Sequence, residues 1–216
     1  MVFLTDVVRC STPSPRPFLC SVLPPHHTRY CAMEINCAHC LLRPLIPSDA
    51  ASLAQHANDR DVWLNLRDRF PHPYTLADAE SYIAVVAGGV EQYSFGIVID
   101  GNAVGNISLM PGADIARRTA ELGYWLGRPY WGRGVMTDAV GAVTRYAFDE
   151  LKLTRVFAVP FAHNRVSCRV LERTGYAKQA LMRRSAMKAG EVLDQVLYAR
   201  TDDMPGCVAV AVAHSD

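Results

Sequence analysis

Hydrophobic and polar positions repeat with two different periods along this chain. Leu122, Tyr124 and Leu126 alternate with Glu121, Gly123 and Trp125, the period of two expected of a strand. Gly127, Arg128 and Pro129 stop that strand. Val135, Met136, Ala139, Val140, Val143, Tyr146, Ala147 and Leu151 then share one face at helical spacing, which predicts a long amphipathic helix. Upstream, residues 39–46 read as a first strand, with Pro44 near its edge or end. Ser48 is placed to cap a helix through Ala50, Leu53, Ala54 and Ala57. Val62, Trp63, Leu66 and Phe70 suggest a second short helix, ended by Pro71 and Pro73. Thr75 caps another, with Asp78 in its first turn and Gly88-Gly89 beyond its end.

Residues 93–99 and 103–109 form a hairpin around Asp100-Gly101-Asn102, and residues 118–126 return as the next antiparallel strand. After the long helix, residues 154–159 read as a short buried strand. Asn164 caps a helix that Gly175 ends, and residues 176–187 and 192–199 finish as a hairpin around Ala189-Gly190. This order predicts an α/β (α+β) fold: a mixed sheet with helices on both faces.

The join between the two periods is chemically suggestive. Gly132 and Gly134 flank Arg133 where a strand passes into a helix. Such a turn exposes backbone N–H groups at the positive end of the helix, which suits a phosphate or pyrophosphate. Side chains at both glycine positions would obstruct that approach. The glycines alone also fit an ordinary strand-to-helix connection. A Walker loop is excluded, because Val135 and Met136 follow Gly134 where Lys and Ser/Thr are needed. A dinucleotide fingerprint is excluded too: its third glycine position holds Thr137, and the motif lies late in the chain.

Composition narrows the field. The 216 residues suit one domain with a substantial core, and half hydrophobic with one-fifth charged is a globular balance. A net charge of +1 gives no support for nucleic-acid or membrane attraction, and no apolar run is long enough to span a bilayer. Residues 1–32 differ, with Pro13, Pro15, Pro17, Pro24 and Pro25 interrupting any regular element. They read as a flexible extension without the apolar core of a secretory signal, and Met33 could be the natural start. Residues 33–201 form the domain and 202–216 a C-terminal tail. Of seven cysteines, Cys37 and Cys40 make a C-x-x-C around His39. The spacing fits no compact zinc module, and a strand would point the two thiols to opposite faces. Free thiols in a reducing cytoplasm are the expectation, with no metal.

The segment GYWLGRPYWGRGVMTDAV, followed by PFAHNRVSCRVLERTGY, resembles the acetyl-CoA site of the GNAT acetyltransferases, and within them the RimJ/RimL branch. The resemblance covers roughly residues 40–201. It implies a mostly antiparallel central sheet whose two central strands splay apart around the pantetheine arm. It also implies acetyl-CoA as cosubstrate and an amine acceptor, a protein N-terminal α-amine or a small-molecule amine; a homodimer is compatible with it. Pyrophosphate would sit on the amides of Trp131, Gly132, Arg133, Gly134 and Val135, with Arg128 and Arg133 adding charge, though one of these arginines is expected to be a surface charge. Asn164 would bind the pantetheine amides. A backbone N–H from Tyr124, Trp125 or Leu126 would polarise the thioester carbonyl.

Acetyl transfer needs an uncharged amine, and an α-amine with pKa about 8 loses its proton more easily than a lysine amine at about 10.4. Glu121 is the candidate base, against the alternative of a carboxylate simply paired with an arginine. Ser167 matches the position of a serine proposed as thiolate acid in this branch. Many relatives place a tyrosine acid four residues later, where this chain has Leu171, so the acid is Ser167 or water. Cys168 reads as packing. His72 and Tyr74 belong to the expected acceptor wall, where His72 is the alternative base, and Asp194 to a structural or acceptor-side position, while His163 could touch the cofactor. The other class of function is a catalytically inactive acyl-CoA-binding sensor or partner module.

Overall fold

The structure is a computed structural model that describes residues 33–89 and 93–203. The expected extension at 1–32 and the tail beyond 203 lie outside the described residues. Among the described residues eight strands form one sheet: β1 (Ile35–Asn36), β2 (Leu41–Arg43), β3 (Ser94–Ile99), β4 (Asn102–Pro111), β5 (Thr119–Leu126), β6 (Arg155–Ala158), β7 (Ala177–Lys188) and β8 (Glu191–Thr201). Their spatial order is β1-β2-β3-β4-β5-β6-β8-β7. Every neighbouring pair is antiparallel except β5 and β6. Among the described residues five α-helices accompany the sheet: α1 (Ala50–Ala57), α2 (Arg60–Trp63), α3 (Leu76–Ala87), α4 (Val135–Asp149) and α5 (Arg165–Arg173).

The sheet's alternation divides the core into two layers. Phe95, Ile97, Ile107 and Leu122 pack with Val140 and Val143 of α4 and Leu171 of α5. Val98 and Ala103 instead join Leu53 and Ala57 of α1 and Ile83 of α3. Helices therefore cover both faces, as expected. Gly96 points to the α1 side, where a Cβ would come within 2.5 Å of Leu45 Cδ2, so any larger residue there would displace the Leu45 side chain from that layer. Both hairpin turns use left-handed residues, Asp100-Gly101 at φ 49° and 79° and Ala189-Gly190 at 51° and 83°. These are the dihedrals of two-residue turns that match strand twist.

Three local expectations need correction. Of the strand expected over 39–46 only Leu41–Arg43 is strand, as β2, and it is the second arm of a hairpin whose first arm is β1. The short second helix stops at Trp63, well before Pro71, and Asp59 caps it by accepting from Asp61 N (2.7 Å) and Val62 N (3.2 Å). Ser48 does not cap α1. A 3-10 turn over Pro47–Asp49 leads into that helix, and Asp49 stands at its N-cap without a side-chain cap bond. The Asp49 carboxylate is committed elsewhere, accepting from Arg43 Nη1 (2.7 Å), Arg43 Nη2 (2.8 Å) and Ile46 N (2.9 Å). Asp49 is 4% exposed, and the guanidinium beside it is raised above its ordinary value by this pairing. The bidentate pair pins β2 to the start of α1.

Removing one partner of such a buried pair leaves the other uncompensated, at a cost of about 3–5 kcal/mol. Asp49→Ala is therefore expected to lower the unfolding free energy by about 3 kcal/mol, read from urea midpoints at unchanged m. A loss below about 0.5 kcal/mol would assign the pair no structural weight.

Candidate active site

β5 and β6 pair over three positions only: Thr119 with Arg155, Ala120 with Val156 and Glu121 with Phe157. Beyond Glu121, β5 runs on to Leu126 without β6 beside it. The chain after β6 bonds to β8 instead. Pro160 O accepts from Val196 N (2.9 Å), Val159 O from Gln195 Nε2 (3.3 Å), and Ala162 N donates to Asp194 O (2.8 Å). The two central strands therefore splay, and a cleft of about 1160 Å³ opens along β5.

The glycine turn forms one end of the cleft. A 3-10 turn over Arg128–Tyr130 follows β5, Gly132 and Gly134 adopt φ 75° and 83°, and α4 begins at Val135. Gly134 is the N-cap and no side chain caps the helix, so its first N–H groups are presented by the backbone alone. Around Gly132 a Cβ would meet nothing within 4 Å, while at Gly134 it would lie 3.4 Å from the His39 ring. Trp131 donates its indole N–H to Leu126 O (2.7 Å), which ties the turn to the end of β5. Arg133 lies over the Tyr130 ring at 5.7 Å. Uncapped donors, positive φ and an arginine fit a diphosphate by local geometry.

The far wall is the start of α5. Asn164 accepts from Ser167 N through its side-chain oxygen (3.1 Å), so the cap uses the carbonyl end of the amide and leaves its NH₂ as a donor. The Ser167 hydroxyl lies 2.8 Å from the Tyr124 hydroxyl, which bridges the open strand β5 to α5. Burial raises the Tyr124 phenol well above its ordinary value, so the pair stays protonated. Leu171 is fully buried in the core and Cys168 nearly so, in keeping with packing for the latter. His163 lines the cleft and stacks on Phe161 with centroids 5.6 Å apart.

The third wall is the segment between α2 and α3, together with the opposite face of β5. Glu121 is ion-paired with Arg67, an arginine of that segment and not one of the nearby Arg117 or Arg118. Phe70 packs on Tyr74 (4.7 Å) and edge-on to Trp125 (5.6 Å). Tyr74 is 6% exposed, and burial pushes its phenol up to about 12. A lysine from the far hairpin fastens this wall. Lys188 is 2% exposed, its Nζ 4.1 Å from the Trp63 ring and 2.9 Å from Asp68 Oδ1. Asn106 of β4 also lines the cleft, in a buried network where the Tyr82 hydroxyl lies 3.0 Å from Ser94 Oγ.

Of the residues singled out in the sequence, Tyr74, Glu121, Tyr124, Trp125, Leu126, Trp131, Gly132, Arg133, Gly134, Val135, Asn164 and Ser167 share this one cleft. Three others stand apart from its lining. Arg128 pairs with Asp61 (2.8 Å) as an exposed ion pair, His72 stacks on Trp63 (5.3 Å), and Asp194 accepts from Arg184 N (2.7 Å) within the β7–β8 hairpin. Arg67, Lys188 and Asn106 were not legible as site residues, because their partners lie far away in sequence and no spacing announces them. Among the described residues no His, Cys, Asp or Glu cluster could hold a metal, and no helix is long and apolar enough to cross a membrane.

Comparison with known proteins gives this geometry a family. The profile of the Acetyltransferase (GNAT) domain matches residues 39–177, more than half of the chain. The chain is 41% identical over 97 residues to the Probable N-acetyltransferase YjcK of Bacillus subtilis, a match spanning 44% of this chain and only 54% of that protein. It is 31% identical over 171 residues to the Putative ribosomal N-acetyltransferase YdaF of the same organism, covering 74% of this chain and 90% of that one. A solved structure described as RimL, a ribosomal L7/L12 alpha-N-protein acetyltransferase in complex with coenzyme A, superposes with a TM-score of 0.67 at 20% identity. That superposition covers 78% of this chain and 98% of the other, and it is a likeness of fold. With the splayed strands, the uncapped glycine turn and the profile in agreement, the chain belongs to the GNAT acetyltransferases, in their RimJ/RimL-like branch.

Proposed function

We propose that this protein transfers an acetyl group from acetyl-CoA to a primary amine, a protein N-terminal α-amine before a small-molecule amine, by direct attack in a ternary complex. The observation that carries the reading is that the uncapped α4 turn and Glu121 open onto the same cleft, along the free edge of β5. In this reading the pyrophosphate rests on the amides of residues 131–135. The Asn164 NH₂ and the free β5 edge hold the pantetheine amides. A β5 amide between Tyr124 and Leu126 polarises the thioester carbonyl.

The acceptor nitrogen attacks the carbonyl carbon and the C–S bond breaks. The amine's proton passes to Glu121, directly or through water, and the departing thiolate accepts a hydrogen bond from the Tyr124–Ser167 hydroxyl pair and takes its proton from water. Arg67 fixes the Glu121 carboxylate on the acceptor side, and Phe70, Tyr74 and Trp125 supply an apolar wall. Preference for an α-amine follows from its lower pKa of about 8. It is supported by the names of the relatives, which include a putative ribosomal N-acetyltransferase. His72 and Asp194 have positioning roles here, beneath Trp63 and in the β7–β8 hairpin. A homodimer is compatible with the reading.

Gly134→Val is expected to weaken CoA binding about 100-fold or more, because a β-branched residue must leave the left-handed backbone that aims the turn's N–H groups, and its Cβ would press on the His39 ring. Calorimetric titration with CoA checks this, with circular dichroism to establish that the fold survives; an unchanged Kd would refute the phosphate role. Glu121→Gln is expected to lower kcat by about 100-fold and spare CoA affinity, since a positioned base typically contributes that much. The assay is thiol release from acetyl-CoA with N-terminal peptides and a panel of small amines, followed across pH. Wild-type rates in the variant would remove Glu121 as base, and tight CoA binding without turnover on any amine would favour the inactive acyl-CoA-binding module.

A further inference from the structure

The C-x-x-C segment has no part in the chemistry above, yet its geometry differs from what a single strand would give. β1 and β2 pair in a register that places Ile35 opposite Leu42 and Asn36 opposite Leu41. One step further, Cys37 stands opposite Cys40, and Cys37 N donates to Cys40 O (2.9 Å). Ala38-His39 is the turn between them. The chain reverses between the cysteines, so both side chains project from the same face of the hairpin, with Cys37 Sγ 3.9 Å from Ile35 O. Directly opposed residues of an antiparallel pair have Cα atoms about 4.5–5.5 Å apart, inside the 4.4–6.8 Å range of a disulfide. Cys37 is half-buried and within reach of a small reagent, whereas Cys40 is 9% exposed.

The turn between the cysteines is docked on α4. His39 pairs with Asp138 in the first turn of that helix. The same imidazole lies 3.4 Å from where a Gly134 Cβ would stand. Any movement of Ala38-His39 is therefore felt at the N-terminus of α4.

We propose that Cys37 and Cys40 form a dithiol–disulfide site that reacts with low-molecular-weight disulfides, and that its oxidation state sets the CoA affinity of the adjoining glycine turn. The second clause rests on the functional reading above; the first does not. The Cys37 thiolate attacks one sulfur of the small disulfide, forming a mixed disulfide and expelling one thiolate. Cys40 then loses its proton and attacks the Cys37 sulfur, releasing the second small thiol. The two cysteines are oxidised, the reagent is reduced to two thiols, and the two protons go to those thiols or to solvent. Hydrogen bonding from Cys40 holds the Cys37 thiol below its ordinary pKa and raises that of Cys40, which makes Cys37 the attacking group. Closing the bond draws the Cβ atoms from about 4.5–5.5 Å to about 3.8 Å, which tightens the turn that carries His39.

The test uses the full chain, reduced and then exposed to glutathione disulfide before alkylation. Trypsin with a glutamate-specific protease separates residues 35–60, whose only cysteines are Cys37 and Cys40, from the other cysteines, the Arg43–Pro44 bond resisting trypsin. The expected fragment is two hydrogens lighter and unalkylated, and dithiothreitol restores both thiols. CoA titration of the two forms is expected to differ by about threefold or more in Kd, with Cys37→Ser and Cys40→Ala indifferent to the oxidant. Two alkylated thiols in the fragment, a persistent glutathione adduct, or a link from Cys37 to any cysteine other than Cys40 would overturn the site. A Cys37–Cys40 bond with equal CoA affinity in both forms would overturn the coupling. If the reduced protein binds no CoA at all, the functional reading falls instead, while the mapped bond still stands for the dithiol.

Discussion

The site depends on two parallel strands that stop pairing after three residues. A sheet normally satisfies both edges of an inner strand, and leaving a polar backbone group buried without a partner costs about 1–3 kcal/mol. Here β5 from Leu122 onward keeps β4 on one side and loses β6 on the other. The loss has an identifiable cause. Pro160 has no N–H to offer, and its carbonyl and that of Val159 are taken by β8 residues. β6 is thus pulled toward β8 at the level where β5 would need it. The exposed edge then has to be satisfied by water or by a ligand that itself carries amides. An extended ligand with alternating donors and acceptors is a natural partner for such an edge.

The charged groups are arranged around this opening with little redundancy. At one end the positive pole of α4 is left uncapped and Arg133 stands over Tyr130. At the other, Glu121 meets Arg67. The segment carrying Arg67, between α2 and α3, has neither helix nor strand, so something must hold it in register with β5. Lys188 does so from the β7–β8 hairpin, its ammonium desolvated against Trp63 and paired with Asp68. A desolvated cation–π contact contributes about 2 kcal/mol, more than the exposed Arg128–Asp61 pair at about 0–1 kcal/mol. The β7–β8 hairpin is in this way coupled to the position of the candidate base.

What could be read from the sequence follows from which interactions are local. The strand, glycine turn and helix around residues 121–149 were legible because alternation, φ-permissive glycines and helical spacing are properties of neighbouring residues. The Asn164 and Thr75 caps and the two left-handed turns were legible for the same reason. Ser48 misled because a 3-10 turn leads into α1 and puts Asp49 at the N-cap instead, its carboxylate held by Arg43 of β2. The C-x-x-C misled because a two-residue turn reverses the side-chain alternation that a strand would impose. Arg67 and Lys188 were invisible: their partners lie 54 and 120 residues away, and only the folded sheet brings them together.

The hydroxyl pair at the cleft's centre bears on the question Leu171 raises. A tyrosine at that helical position would need room and a partner, but the side chain there is fully buried among core residues. The structure instead brings a phenol in from the strand: Tyr124 reaches across to Ser167 from β5. An isolated serine is a poor acid, and so is a phenol whose pKa burial has raised. Their strength in the proposed reaction lies elsewhere. Two hydroxyls 2.8 Å apart polarise each other, and one can donate to a developing thiolate while accepting from the other. Stabilising the sulfur by hydrogen bonding requires no full proton transfer, so a raised pKa is no obstacle and keeps both hydrogens in place. The absence of a tyrosine on α5 therefore does not by itself argue for a dead site, because the strand supplies a hydroxyl of the same kind from the opposite wall.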